Sequence, residues 1–302
     1  MNVTLLLFAA LLIRISIDQF IRKTRPTISK IEIAIGAAGI VGIFCILYGL
    51  LIEPYWLSVE RVSLKSSKIK TNQWITVVQI SDLHCDPQIR LENKLPEVIA
   101  ALKPDTIVFT GDAINSPGGL QNFRTCLTRL AKIAPTFVVK GNWDSWYFKD
   151  LDRFGGTGAT ELGDKAVKVR IKDNDVWIGG LPVGSKNSVD TAMRGAPLDD
   201  YRIFLFHYPD FIEQMQACKI DLYLAGHTHG GQVALPFYGA LVTLSARGKQ
   251  FESGLHKLGN TYEYTNRGIG MEGGPAPRVR FCARPEVTVF TISGDSKSKT
   301  EM

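Results

Sequence analysis

Apolar positions follow two regimes along this chain. In the first fifty or so residues they form long unbroken blocks, and from Trp74 onward they come in short runs closed by polar residues or glycine. Ala34 to Ile52 (AIGAAGIVGIFCILYGLLI) is 19 residues without a charge. A helix of that length, at about 1.5 Å per residue, crosses a hydrocarbon core of about 30 Å. The pattern predicts a membrane helix over 34–52, with a buried core helix as the alternative. Gly36, Gly39 and Gly42 give it a small-residue face against which a second helix can pack closely. A shorter apolar segment, residues 3–21, contains Arg14 and Asp18. It can span only by burying both charges, each costly, or it can lie along the interface or pair with the longer segment. No basic stretch precedes Val3 and no small-residue cleavage site follows, a poor fit to a secretory signal.

The second regime reads as alternating strands and helices. Ile75–Ile80 is a β-branched run and predicts a buried strand. Leu91–Leu102 has helical spacing, with Pro104 just beyond it. Thr106–Thr110 predicts a second strand, Gln121–Ile133 a helix, and Thr136–Lys140 a third strand. This alternation implies a parallel sheet. Further strands are expected over Ala166–Ile171, Val176–Gly180, Ile203–Phe206, Leu222–Ala225, Thr261–Thr265 and Val287–Ile292, with a helix over Phe211–Cys218. The expected fold class is α/β: two stacked mixed β-sheets flanked by helices in four layers, preceded by an N-terminal membrane segment. The expected organisation is an anchor and juxtamembrane segment over 1–70, a catalytic domain over 71–292 and a flexible polar tail over 293–302.

Composition changes this picture little, and charge refines it. An apolar share of 45% and a charged share of 21% are ordinary for a folded protein. Net charge is +6. Much of the excess sits in the first seventy residues, at Arg14, Arg22, Lys23, Arg25, Lys30, Arg61, Lys65, Lys68 and Lys70. Cations around an apolar block point to an anionic lipid bilayer as partner. No basic stretch is interleaved with aromatics, and no zinc-finger spacing occurs, so no nucleic acid is expected. No obligate protein partner is inferred. Basic residues lie on both sides of 34–52, which leaves orientation open; the expectation adopted is a bacterial inner membrane with the catalytic domain on the cytoplasmic face. The five cysteines are scattered and form no CxxC pair, which argues against a disulfide framework and favours a reducing compartment.

The chemistry lies where the runs end. Three consecutive predicted strands close on Asp82 and His84, on Asp112, and on Asn142. Later ones close on His207 and on Gly226-His227-Thr-His229. Four of the five histidines occupy such places, and His256 alone does not. One strand-end Asp or His is ordinary turn chemistry. Five such sites together are not, because open α/β sheets gather ligands at the carboxyl ends of their strands. A mixed Asp, His and Asn set suits borderline-hard divalent ions: manganese first, with iron or zinc also compatible.

Taken in order, Asp82-Leu-His84, Gly111-Asp112, Gly141-Asn142, His207 and Gly226-His-Thr-His229 resemble the five motifs of the calcineurin-like metallophosphoesterases, over roughly Trp74 to Ile292. Gly226–Gln232 and the stretch from Gly268-Ile-Gly270 to Cys282–Glu286 further resemble a membrane-associated bacterial branch. The resemblance implies two divalent ions. Asp82, His84 and His229 would hold the first; Asn142, His207 and His227 the second; Asp112 would bridge them. Asp82, Asp112, Asn142 and His227 would also be catalytic. Ions about 3.5–4 Å apart can clamp a phosphoryl group, and a bridging hydroxide can attack it in line.

One position departs from the family pattern. Its third motif usually reads Gly-Asn-His, and here it reads Gly141-Asn142-Trp143-Asp144. An indole can donate a hydrogen bond but cannot deliver a proton to a leaving group. A phosphate monoester, with a second pKa of about 6, departs without one. The departure therefore points to a pyrophosphate bond, and to relatives that cleave UDP-2,3-diacylglucosamine in lipid A biosynthesis. The alternatives are a general phosphodiesterase or phospholipid phosphoesterase with the proton supplied by Asp144 or His256, and, less favoured, a non-catalytic scaffold. Trp143, Asp144 and Arg267 are the expected substrate contacts, and the substrate is expected to be phosphorylated and lipid-linked.

Overall fold

The computed structural model describes residues 3–22, 29–273 and 278–294. Lys23 and Arg25, Gly274, and the expected tail from residue 295 lie outside the described residues. Contacts divide the chain at Ile52–Glu53 into two compact units. The second unit therefore begins well before residue 71, where the apolar pattern placed it.

In the first unit, α1 (Val3–Ser16) runs on through a π-helical turn, Ile17–Ile21, and α2 covers Lys30–Leu51. α2 starts ahead of Ala34 because a capping box closes its end: the Glu32 N–H donates to Ser29 Oγ at 3.3 Å and the Ser29 N–H to Glu32 Oε2 at 2.9 Å. Among the described residues, α2 is the helix long and apolar enough to cross a membrane by length and composition. Gly39 has a packing role, since an added Cβ would lie 2.3 Å from Cγ of Phe8 on α1. The charge inside the first segment is compensated, with Arg14 pairing Glu32 of α2 at 2.7 Å.

The second unit opens with β1 (Ser58–Lys65) and β2 (Trp74–Ile80), then α3 (Leu95–Ala101), β3 (Thr106–Phe109), α4 (Leu120–Ala131) and β4 (Thr136–Val138). A short α5 (Asn142–Trp146) leads to β5 (Thr160–Glu161), β6 (Lys165–Ile171), β7 (Asn174–Gly180) and α6 (Val189–Ala192). β8 (Tyr201–Leu205), α7 (Ile212–Ala217) and β9 (Leu222–Ala225) follow. The short pair β10 (Ala234–Leu235) and β11 (Gly239–Ala240) precedes β12 (Gly254–Leu258), β13 (Thr261–Thr265) and β14 (Glu286–Ser293). Two six-stranded mixed sheets result, in the orders β1-β14-β2-β3-β4-β5 and β12-β13-β9-β8-β7-β6.

Strand alternation sorts the side chains into layers. Val77 and Val108 meet Ile178, Ile203, Leu205 and Leu224 between the sheets. Val78, Ile80, Ile107 and Phe109 face outward, under Leu95 and Ile99 of α3 and Phe123 and Leu127 of α4. On the far side Phe204 and Tyr223 pack with Met193 and with Met215 of α7. Two sheets with helices outside both are the architecture that the apolar pattern predicts.

Two local differences have physical causes. α3 begins at Leu95 rather than Leu91, with Pro96 in its first turn, where a missing N–H costs nothing. β1 was expected to be juxtamembrane chain, yet it pairs in parallel with β14 from Ser58↔Glu286 to Lys65↔Ser293. As an edge strand it leaves one flank to solvent, so Glu60, Arg61 and Lys65 break up its apolar pattern. Glu53, fully buried, fixes its start by accepting backbone N–H bonds from Cys282 at 2.9 Å and Ala283 at 2.5 Å.

Candidate metal centre

The carboxyl ends of β2, β3, β4, β8 and β9 deliver Asp82 and His84, Asp112, Asn142, His207, and His227 and His229. All seven are buried. Donor atoms of Asp82, His84 and His229, and of Asp82, Asp112 and His207, lie within 4.8 Å of one another in each group. Asp112 Oδ2 is 3.6 Å from His84 Nε2 and 3.2 Å from His207 Nε2, between one histidine expected on each ion. Asp82 Oδ1 is 3.4 Å from His229 Nε2 and 3.9 Å from His207 Nε2. The His227 and His207 rings lie 5.0 Å apart.

The backbone makes this convergence possible at a cost. Asp82, His84, Asp112, His227 and His229 all have positive φ, between 40° and 75°. Left-handed backbone costs an ordinary residue about 1–2 kcal/mol, and such strain concentrates at functional sites. Glycines remove the remaining obstacles. A Cβ on Gly141 would lie 2.1 Å from Asp112 Oδ1, and one on Gly226 would lie 2.3 Å from Asp82 Oδ2.

Outer hydrogen bonds set the histidine tautomers. His207 Nδ1 lies 2.8 Å from the Thr110 carbonyl, so Nδ1 carries the proton. Asn115 Nδ2 donates to the carbonyls of His84 and Met271, which leaves its Oδ1 to accept from His84 Nδ1 at 2.9 Å. In both rings Nε2 then points a lone pair into the centre. His84 Nε2, His207 Nε2 and Asn142 Oδ1 are buried without a hydrogen-bond partner. Acceptors facing carboxylates in a dry site need a proton or a cation between them, and this orphaned set fits divalent ions.

Electrostatics agree. Burial alone would raise the Asp82 carboxyl, but His229 and His207 outweigh it and hold it well below the usual range. Burial pushes His84 well below its ordinary value and His227 down to about 3, so both stay neutral and able to ligate. Burial raises Asp112 to about 6 against the pull of His207. His207 is pushed up to about 9, Asp112 overcoming the effect of burial. Without a metal this pair retains a proton at neutral pH that an ion would displace.

Residues 75–231 match the calcineurin-like phosphoesterase family. The metallophosphoesterase YkuE of Bacillus subtilis (strain 168) is 34% identical over 261 residues, 81% of this chain and 88% of that protein. The chain belongs to this family. Phosphodiesterase YaeI of Escherichia coli (strain K12) is 30% identical over 253 residues, 80% of this chain and 90% of that protein. A transmembrane protein with a metallophosphoesterase domain from Danio rerio is 26% identical, covering 81% of this chain and 59% of that protein. The calcineurin-like fold thus presents here a metal-dependent phosphoester hydrolase with a possible dimetal site.

Two of the three expected substrate contacts have other work in this phosphoesterase. Asp144 is fully buried. It accepts N–H bonds from Asp112 at 2.8 Å, Ala113 at 3.2 Å and Gly141 at 2.9 Å, and pairs Arg153 Nε at 3.1 Å. It therefore positions the Asp112 and Asn142 loops and cannot reach a substrate. Arg267 Nη2 lies 2.8 Å from Glu60 and its Nε 2.9 Å from Glu286. Those two carboxylates tie β1 to β14 through it. Trp143 is half-buried beside the centre, its ring perpendicular to His84 with centroids 5.3 Å apart.

His256 lies in β12 with its ring packed across Phe251 at 5.0 Å, outside the cluster. Cys85 is buried, and burial pushes its thiol well above its ordinary value, which rules out a thiolate nucleophile. Sequence reasoning missed Asn115, Arg153 and Tyr208. Asn115 carries a weak signal, three residues after Asp112. Tyr208 follows His207 directly, and its ring lies 4.5 Å from that of His227. Arg153 carries none, because nothing in its sequence neighbourhood marks the partner.

Proposed function

We propose that this phosphoesterase is a bacterial inner-membrane enzyme, its catalytic unit on the cytoplasmic face, that cleaves the pyrophosphate bond of a lipid-linked nucleotide. UDP-2,3-diacylglucosamine of lipid A biosynthesis is the leading substrate. The observation that carries this reading is Trp143. It stands beside His84 and has no proton to give an alkoxide leaving group, while Asp144 is bound to backbone and Arg153 and His256 packs elsewhere. A leaving phosphate monoester needs no such proton. α2 and the transmembrane relative support the membrane assignment.

Asp82, His84 and His229 would hold one ion, Asn142, His207 and His227 the other, with Asp112 between them. Bound there, two divalent ions, manganese first among them, neutralise phosphoryl charge and bring a water's pKa toward neutrality. The protein's own contribution is geometric. Asp144 fixes two ligand loops, Thr110 and Asn115 orient His207 and His84, and burial excludes bulk water. Trp143 and Tyr147, with ring centroids 5.0 Å apart and planes tilted by 51°, put an aromatic pair beside the centre.

A general phosphodiesterase is the second reading. The phosphodiesterase name of YaeI favours it, as does Tyr208. Burial and Asp112 push that phenol up to about 12, so it stays protonated beside His227 and could donate. Chelator-stripped protein refilled with manganese should be given UDP-2,3-diacylglucosamine, phospholipid diesters and aryl phosphodiesters. Release of UMP and an acylated sugar phosphate, faster than either diester is cleaved, is the expected result. Turnover of diesters with no UMP release would sink the pyrophosphate reading and leave the second.

A further inference from the structure

The chain beyond His229 folds into an ordered hairpin whose outer surface is apolar. Leu235, Phe237, Tyr238, Leu241, Val242 and Leu244 are all exposed, Phe237 completely. Soluble surfaces rarely concentrate so much apolar area in one short segment without a partner. The hairpin is also held from below. Leu241 N–H donates to Val233 O at 3.1 Å, Ala240 N–H to Glu252 Oε2 at 3.0 Å, and Ala234 N–H to Phe281 O at 2.8 Å. Lys249 Nζ donates to the Tyr238 carbonyl and, at 3.0 Å, to that of Ala240, and lies 3.6 Å from the Tyr238 ring centroid.

Phe237 sits at the tip with φ 64°. A bulky side chain in left-handed backbone is unusual, and glycine would be easier there. The tip displays a phenyl ring against its backbone preference. No acidic residue occurs between Val233 and Gln250, where the charged residues are Arg247 and Lys249. Arg247 is paired to Glu213 and Lys249, about half exposed, lies 3.7 Å from Glu252, so both cations at the rim already have a carboxylate partner. Aromatic and aliphatic side chains projecting past a lysine are the composition of elements that sit in a bilayer interface.

We propose that the 233–244 hairpin is a membrane-docking element that inserts Phe237 and its neighbours into the headgroup and acyl boundary of a lipid bilayer. The partner is the bilayer, argued from the aromatic and aliphatic side chains that the hairpin exposes and from a spanning-length helix elsewhere in the chain. The hairpin root packs directly on the metal-site loop: a Cβ on Gly231 would lie 2.5 Å from Ala240 Cβ. Docking would hold the mouth of the centre against lipid and present membrane-borne phosphates to it. The proposal stands apart from the substrate reading, since it concerns where the hairpin lies and not which bond breaks.

The test uses the full chain reconstituted into vesicles of phosphatidylethanolamine with a minority of phosphatidylglycerol. Phe237→Cys carries a nitroxide in a Cys282→Ser background, which removes the exposed native thiol; the unlabelled-site background gives the baseline. A label at Asp199→Cys, at the opposite end of β8 from His207, is the aqueous control. Collision with oxygen and with a water-soluble nickel chelate reports depth. The oxygen-to-nickel ratio at 237 should exceed that at 199 severalfold. Equal ratios would overturn the proposal. Protection from both probes, as burial against a second copy would produce, would overturn it too.

Discussion

Replacing Asp144 by asparagine would remove one charge from a fully buried pair. The wild-type carboxylate accepts three backbone N–H bonds and faces Arg153, and neither side chain of the pair is exposed. Asparagine leaves the guanidinium uncompensated and turns one acceptor into a donor aimed at N–H groups. Breaking a buried pair from one side costs about 3–5 kcal/mol, a large fraction of the roughly 5–15 kcal/mol that holds a domain together. For a unit of this size the midpoint of thermal unfolding should fall by about 6–20 °C. Metal content should fall with it, because the same carboxylate holds the loops of Asp112 and Asn142. The double variant Asp144→Asn, Arg153→Met removes the orphaned charge and should recover part of the stability without restoring the loop geometry. Differential scanning of the full chain, paired with elemental analysis after manganese loading, measures both. An unfolding midpoint within about 1 °C of wild type, with full metal content, would refute the reasoning.

Other outcomes follow from single contacts. Gly141→Ala places a methyl 2.1 Å from Asp112 Oδ1; since misplacing catalytic groups by about 1 Å can cost about 100-fold, turnover should drop by that order, measured with the protein's best substrate. Trp143→His supplies the missing acid, so hydrolysis of unactivated alkyl diesters should rise by about 10²-fold or more while pyrophosphate cleavage changes little; equal effects on both would show that leaving-group protonation is not what Trp143 forgoes. Arg267→Lys cannot span Glu60 and Glu286 with one ammonium, so it should lower the unfolding midpoint and leave KM unchanged; a raised KM at unchanged stability would return Arg267 to the substrate. Chelation should lower the midpoint as well, since ions at about 100 times their Kd stabilise by about 2.7 kcal/mol per site; an unchanged midpoint, with metal removal verified, would contradict structural coupling of the centre.

Much of the fold was legible because burial imposes a period. β2, β3, β8 and β9 lie in sheet interiors, and their apolar runs place them within a residue or two. β1 escaped because Glu60, Arg61 and Lys65 interrupt its apolar pattern. The expected ligand positions were legible for a related reason: Asp, Asn or His at the end of an apolar run breaks the pattern and marks a strand's carboxyl end. The protein partners of Asp144 and Arg267 were not legible, because a charged side chain in a loop looks the same whether it meets substrate, solvent or a buried partner.

The sequence by itself determined the two stacked sheets, the apolar helix and the residue types able to hold divalent ions, since each is written in local periodicity and side-chain chemistry. The tertiary structure alone decided which of those residues meet. Left-handed backbone at Asp82, His84, Asp112, His227 and His229 turns the side chains inward, and that conformation is unfavourable for each residue taken singly. Only the surrounding packing and the hydrogen bonds of Asp144, Thr110 and Asn115, drawn from elsewhere in the chain, can hold it.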